Sequence, residues 1–526
     1  MCINMFFNCI IFGQSIIRGP YLQKGTTASV IVKWRTNVEV PSVIEYCTDG
    51  TNFNFSVCET TPKVNHKLEI TGLAPNTKYF YRIGFDGTLL AGSSDLYFKT
   101  NPIIGTVDSY RFWLLGCTYN GGINNVNALK VRDAYYSYSG STDTNAVLFL
   151  GDNAGSKGLD SDYQLKVFDM YESKLKNTLA WSCIGNHDGY SSFANSQTGP
   201  YYDIFEFPTA GESGGISSNT ESYYSFDYGN IHFIVLNSFD EDRTTYGPMY
   251  KWAELDIKNT EQKWVVAMWH HPPYSKGWHP SEGEDYYGNP AEVELTEMRE
   301  IFGPMLENNG VDLVITAHSL SYERSFFING HYGESNSFNP LVHIVGNNGG
   351  GSGQETGESS TGAYSKSTSG DDAGKGTIYV TTSTSTQNIY SVLDHNAMFY
   401  SSYQYGSSIL EINGDTLNFK FLRDNGNIDD FFTIHKSSNS LDLIEEVLSG
   451  FKLYTDEFSS YLFVNGNLIE KSTLFVYDIH GRLVLTKKLD VNKNFNRINV
   501  QSISSGIYIV KLSSGGFTLT KKIIIK

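Results

Sequence analysis

Six cysteines in 526 residues are too few to staple this chain, so no disulfide framework carries its fold. Charge is also sparse, at 18 % of residues, whereas aromatics reach 14 %, with 35 Tyr and 50 Gly. Disordered chains show the opposite balance, which excludes global disorder. No apolar run attains the ~18–20 residues that span a bilayer. Basic residues are outnumbered, 39 Lys and Arg against 56 Asp and Glu, and a net charge of −17 argues against nucleic acid as the main partner. What is present is length, enough for two to four domains of ~100–200 residues each.

The grammar changes along the chain. Residues 1–13 are mostly apolar and run into Gln14 and Ser15, which reads as the hydrophobic core of a secretory signal peptide over 1–17, without the usual Lys or Arg in front; the competing reading is a buried first strand. From 18 to 103 the pattern alternates at period two, as in Ser29–Trp34, Val43–Tyr46, Lys67–Ile70 and Lys78–Arg82, and predicts a β-sandwich. Within it, Leu73 to Tyr79 resembles the tyrosine-corner segment of fibronectin-type domains. Cys47 and Cys58 either pair across this sheet or remain free thiols. Between 108 and 436 short β-rich apolar runs alternate with helices, predicting an α/β domain. Asp160 or Ser161 is positioned to cap a helix whose Val167, Phe168, Met170, Tyr171 and Leu175 fit one face, and a second helix around Glu297–Leu306 should stop near Gly310. The Gly/Ser-rich stretch 346–376 reads as loop. The last segment, 442–526, is β-rich again, and from 481 onward it holds nine Lys or Arg against one acid, the mark of a separate module.

Five apolar runs of the middle segment each end on a group able to bind metal or phosphate. Phe112–Gly116 delivers Cys117, Ala146–Gly151 delivers Asp152, and Leu179–Gly185 delivers Asn186, His187 and Asp188; Trp264–Trp269 delivers His270 and His271, and Leu313–Ala317 delivers His318. Strand ends on one edge of a sheet converge, which is where ligands of layered α/β proteins gather. A glycine before the ligand lets the backbone turn sharply and approach closely. Carboxylate, amide oxygen and two imidazoles form a mixed oxygen and nitrogen set suited to zinc, iron or manganese.

Arg18 to Gln23, Gly151-Asp152-Asn153, Gly185 to Asp188, His270 to Ser275 and Ala317 to Arg324 together resemble the purple acid phosphatases, members of the calcineurin-like metallophosphoesterases. The resemblance covers about residues 18–435. It implies a fibronectin III-like N-terminal sandwich, a central two-sheet sandwich flanked by helices, and a site for two metal ions. Carried over position by position, the ligands of one ion match Asp152, Asn186, His270 and His318. Those peculiar to the other are lost, Cys117, Gly155 and Leu320 standing where the family has aspartate, tyrosine and histidine. His187 matches the histidine that contacts the phosphate, and His279 a candidate acid for the leaving group. Asp188 is placed to orient His187, and His271 to shape the loop. The tail, with Val476–Val484, Ser505–Leu512 and a terminal Lys521–Lys526, resembles the sorting domain of the type IX secretion pathway.

These resemblances imply an exported protein, secreted or at the cell surface, that meets a phosphate-ester substrate and the secretion machinery. It would hydrolyse esters with about one divalent ion per chain and weakened activity, and without colour, since the family's colour comes from the missing tyrosine. The alternative is a non-catalytic surface protein that keeps the scaffold to bind metal or phosphorylated ligands.

Overall fold

The computed structural model describes residues 13–346, 352–354, 362–369, 372–437 and most of 452–525. The chain divides into two units, one comprising residues up to 366 with 373–436, the other 367–372 with 437–526.

In the first unit, two sheets carry the middle segment. In one, strands Ser109–Leu115, Ala146–Phe149 and Leu179–Ser182 run parallel, and Gly406–Asn413, Thr416–Arg423 and Ile428–Ser437 extend it antiparallel. In the other, Ile231–Val235, Trp264–Met268, Leu313–Thr316 and Ile378–Thr382 form a parallel centre. The inner faces are mostly apolar, as runs such as Ala146–Phe149 foretell, because a sheet covered on both sides has no solvent face to serve. Across the interior Trp181 stacks on Phe226 at 4.1 Å, Tyr322 on Phe421 at 4.0 Å, and Phe112 meets Phe233 at 4.9 Å. Each such ring contributes roughly 1.5–3 kcal/mol by leaving water. The outer face of the second sheet is covered by helix Pro248–Asn259 through Trp252 and Ile257, together with Met298, Phe302 and Leu306.

One buried ion pair ties the sheets together. Arg324, in strand Tyr322–Ser325, donates from Nε and Nη2 to both oxygens of Asp430 at 2.7 Å each, and Tyr322 donates its hydroxyl to the same carboxylate. Asp430 holds Arg324 charged against the burial that opposes it.

The N-terminal strands are not hydrogen-bonded apart from this body. Leu22 of strand Ile16–Gln23 pairs with Leu179 in parallel, so Ile16–Gln23, Val30–Cys47 and Lys78–Phe85 continue the first sheet. The alternation forecast for them is visible in Trp34, Ile44, Tyr81 and Ile83, all buried. Tyr79 behaves as its segment suggests, its hydroxyl accepting the N–H of Ala74 at 2.9 Å. Of the two open readings for Cys47 and Cys58, the structure shows free thiols. Cys58 lies opposite Val43, while Cys47 lies opposite Phe80.

The expected helix forms as Asp160–Tyr163, a wider turn over Gln164–Phe168, and Asp169–Leu175, and it buries all five predicted residues. Its capping assignment does not hold. Asp160 accepts instead from Arg18 and Arg35, whose opposed charge keeps its carboxyl down at about 2 although burial pulls it up. The second helix ends at Asn308, just before Gly310 at φ 76°. The leader expected over 1–17 falls, for residues 1–12, outside the described residues, and its last two positions open strand Ile16–Gln23. Of the forecast loop 346–376, positions 347–351, 355–361 and 370–371 also lie outside them.

The second unit has its own core. Strands Lys452–Thr455, Tyr461–Asn465 and Phe495–Asn499 form one sheet, and Leu483–Lys488, Thr473–Asp478, Gly506–Ser514 and Phe517–Ile525 a second. Leu462, Val476, Val500 and Val510 are buried within it.

Candidate metal centre

The strand ends converge as their sequence spacing suggests. Strand Ala146–Phe149 leads to Asp152, strand Leu179–Ser182 to Asn186 at the start of the turn Asn186–Gly189, strand Trp264–Met268 to His270, and strand Leu313–Thr316 to His318. Close approach demands glycine at two of these turns. A Cβ at Gly151 would lie 2.5 Å from His270 Nδ1, and one at Gly185 only 2.2 Å from the backbone nitrogen of Asp152. Asp152, Asn186 and His318 line a cleft of about 420 Å³ with Tyr119, His187, His271, His279, Glu292 and Leu320.

Hydrogen bonds fix which atoms face inward. His270 donates from Nδ1 to the carbonyl of Leu150 at 2.8 Å, and His318 donates from Nε2 to Glu292 at 3.0 Å. Each neutral ring therefore turns a bare lone pair into the site, His270 Nε2 and His318 Nδ1, 3.2 Å apart. Asp152 Oδ2 lies 3.3 Å from His270 Nε2, and among the described residues the buried Asn186 Oδ1 has no hydrogen-bond partner. Such an unmet acceptor normally costs about 1–3 kcal/mol. A proton on His270 satisfies one of these contacts; a divalent ion answers to all four donors. The residues present therefore fit the metal that the fold implies.

Electrostatics agree with a cation position. Burial works to raise Asp152, but His270, His187 and His318 outweigh it and hold the carboxyl below the usual carboxylate range. Burial, reinforced by His279, pushes His318 down to about 4. His270 goes the other way, burial being overcome by Asp152. His271 is driven well below its ordinary value by burial and by its two imidazole neighbours.

Cys117, Leu320 and Gly155, named in the sequence reading for a second ion, offer no charged donor. Cys117 is fully buried, and burial lifts its thiol well above the ordinary range, so it is a neutral thiol although its sulfur lies within 4.8 Å of ligand atoms of Asp152 and His270. Leu320 is 3 % exposed and lines the cleft with carbon. At Gly155, with φ at 60°, an added Cβ would stand 2.2 Å from the Asp162 carboxylate.

His187 sits at the mouth, its ring stacked on Tyr119 at 4.7 Å and its Nε2 3.8 Å from Asp152 Oδ2. Its orientation corrects the sequence reading. His187 donates from Nδ1 to the carbonyl of Ser156 at 2.9 Å, whereas Asp188 is spent elsewhere. That buried carboxylate accepts from the N–H of Gly185 and of Asn153 and from the Tyr163 hydroxyl at 2.5 Å, and burial together with Asp152 raises it to about 6. His279 donates from Nδ1 to Glu292 Oε1 at 2.8 Å, leaving Nε2 available. His271, read from sequence as shaping the loop, does bond Ser238 through Nδ1 at 2.8 Å, and its ring also lies 4.4 Å from that of His318.

Sequence reasoning missed Glu292 and Tyr119. Glu292 follows a stretch without strand or helix periodicity, and Tyr119 follows Cys117 in a short turn, so neither stands on a pattern that points to a site.

Residues 110–322 match the calcineurin-like phosphoesterase family, 20–100 the purple acid phosphatase N-terminal domain, and 458–526 the secretion system C-terminal sorting domain. The chain is 32 % identical over 299 residues to purple acid phosphatase 13 of Arabidopsis thaliana, covering 50 % of this chain and 51 % of that protein. It is 27 % identical to a purple acid phosphatase of Glycine max, covering 49 % and 52 %. The chain thus spans about half the length of these curated relatives. The solved purple acid phosphatase from yellow lupin seeds superposes with a TM-score of 0.58 over 81 % of this chain and 76 % of that one, and at 16 % identity it speaks for the fold. The sorting domain indicates export, to the cell surface or beyond it, and among the described residues no helix is long and apolar enough to cross a membrane. Over residues 110–322 the chain is similar to the calcineurin-like phosphoesterases, over about half its length to the purple acid phosphatases, and it matches their N-terminal domain in front and a secretion sorting domain behind.

Proposed function

We propose that this protein hydrolyses phosphate esters outside the cell with one divalent ion per chain, held by Asp152, Asn186, His270 and His318. The single observation that carries the reading is the apposition of two imidazole nitrogens at 3.2 Å beside a carboxylate and, among the described residues, an orphaned amide oxygen. When bound, the ion would polarise a phosphoryl oxygen and lower the pKa of a water. The chain's own part follows from its geometry. Asp152 supplies one negative charge, so the centre keeps a net positive charge for phosphate. His187, steadied by Ser156 and Tyr119, presents Nε2 to an oxygen on which charge develops. His279 presents Nε2 for the departing alkoxide, its other nitrogen tied to Glu292.

Loss of the second ion position, through Cys117, Gly155 and Leu320, is read as a lasting reduction in rate, since a pair of ions clamps both oxygens of a displacement better than one. The domain limits 18–103, 108–436 and 442–526, and the fibronectin III-like character of the first, are proposed on the same footing, the latter supported by the Tyr79 to Ala74 bond.

The test is turnover of p-nitrophenyl phosphate by the zinc-, iron- or manganese-loaded protein. The expected result is measurable hydrolysis that falls at least a hundredfold in His270→Ala and tenfold or more in His187→Ala. Metal binding with no turnover in any loaded form would overturn the hydrolase and favour a surface binder.

A further inference from the structure

Glu292 is reached through a loop that closes on itself. Asp285 accepts the N–H groups of Tyr287 and Asn289 at 2.8 Å each, and Ala291 donates its N–H to the carbonyl of Gly283 at 2.9 Å. Both ends of the loop are pinned. At its start, Ser319 donates its hydroxyl to the His279 carbonyl at 2.7 Å and Trp278 donates its N–H to the Ser319 carbonyl, tying His279 to the residue after His318. At its far end, helix Val293–Glu297 is held by Arg243, which donates to Glu297 at 2.7 Å.

The carboxylate delivered in this way serves two imidazoles at once. Oε1 accepts from His279 Nδ1 at 2.8 Å and Oε2 from His318 Nε2 at 3.0 Å, and the two rings lie 4.1 Å apart. A carboxylate behind a ligating histidine fixes the tautomer, aims the ring and strengthens the ligand. Here the same group also fixes the free nitrogen of a histidine at the leaving-group side of the cleft.

We infer that Glu292 is the positioning residue of this site, a clip that turns His318 Nδ1 toward the ion and His279 Nε2 toward the leaving group, so that metal affinity and leaving-group departure depend on one side chain. This rests on the reading of Asp152, Asn186, His270 and His318 as the ion's holders. Two consequences are separable from a merely structural role. Removing the clip weakens the ion's hold, and it penalises esters with poor leaving groups more than those with good ones.

The experiment uses the full chain, the variant Glu292→Gln, and Asp152→Ala as control. Zinc affinity is measured by titration of the metal-free protein, kcat and KM are measured for p-nitrophenyl phosphate and for glycerol 2-phosphate, and thermal unfolding is followed without metal. Glutamine keeps the size but offers an N–H to one of two rings that need an acceptor. The expected result is a 10–100-fold loss of zinc affinity with an unchanged melting temperature, and a kcat loss at least fivefold larger for glycerol 2-phosphate than for the nitrophenyl ester. Wild-type zinc affinity together with an unchanged ratio between the two esters would overturn the role of Glu292 while leaving the ion site standing. If the unaltered protein binds no zinc, or Asp152→Ala binds it equally well, the ion site itself is wrong and the inference falls with it.

Discussion

At the scale of single residues, the cleft keeps a strained backbone that its side chains no longer all justify. Cys117, Asp152, His318 and Leu320 hold φ at 55°, 53°, 66° and 54°, in the left-handed region where residues other than glycine pay roughly 1–3 kcal/mol. On the proposed reading Asp152 and His318 use that geometry to aim ligands; Cys117 and Leu320 hold it with a neutral thiol and a hydrocarbon. On the same proposed reading the second ion position is filled, not merely emptied. Gly155→Tyr should accordingly destabilise the protein by about 1–3 kcal/mol, because its Cβ meets the Asp162 carboxylate and the position needs a left-handed φ. Thermal unfolding checks this. Combined with Cys117→Asp and Leu320→His it should bring neither a second ion nor a visible band, and a coloured, stable triple variant would contradict the closure.

A second residue-level expectation concerns pH. His232, fully buried, is raised to about 9 because the hydrogen bonds to Asp227 at 2.7 Å and Asp256 at 2.9 Å outweigh the burial that lowers it. Folding thus favours the protonated ring. The contribution, on the order of 3 kcal/mol for a shift of this size, is complete below the unfolded pKa near 6.5 and is lost as pH rises toward 9. Melting temperature should fall across that interval, and His232→Gln should flatten the fall.

At the scale of elements, the Arg324–Asp430 pair joins strand Tyr322–Ser325 of one sheet to strand Ile428–Ser437 of the other. Removing one partner leaves a buried guanidinium uncompensated, so Asp430→Ala should cost about 3–5 kcal/mol, read as a shift in the denaturant midpoint. The strand ends that build the site were legible in the sequence because apolar runs, glycines and polar termini follow one another within a few residues. Glu292 was not, since it reaches His318 through a turn closed by Asp285 and Gly283 that has no periodicity. Nor was the obstruction at Gly155, which depends on where Asp162 points after the helix has packed. The cap assigned to Asp160 failed for a similar reason: two arginines distant in sequence claim its carboxylate.

At the scale of the molecule, composition and charge suggest separate modules, and the structure shows two units, each with buried apolar clusters of its own. The sequence did not reveal that the N-terminal strands join the central sheet, because the join is a single parallel pairing between Leu22 and Leu179. The candidate metal centre lies wholly within the first unit and draws on both of its large sheets, so the proposed ion binding would be coupled to their packing. Its capacity is the central claim, and elemental analysis of the purified full chain, after saturation with zinc and removal of excess, measures it directly. One zinc per chain is expected, lost in His270→Ala. Two ions per chain, or none, would contradict it.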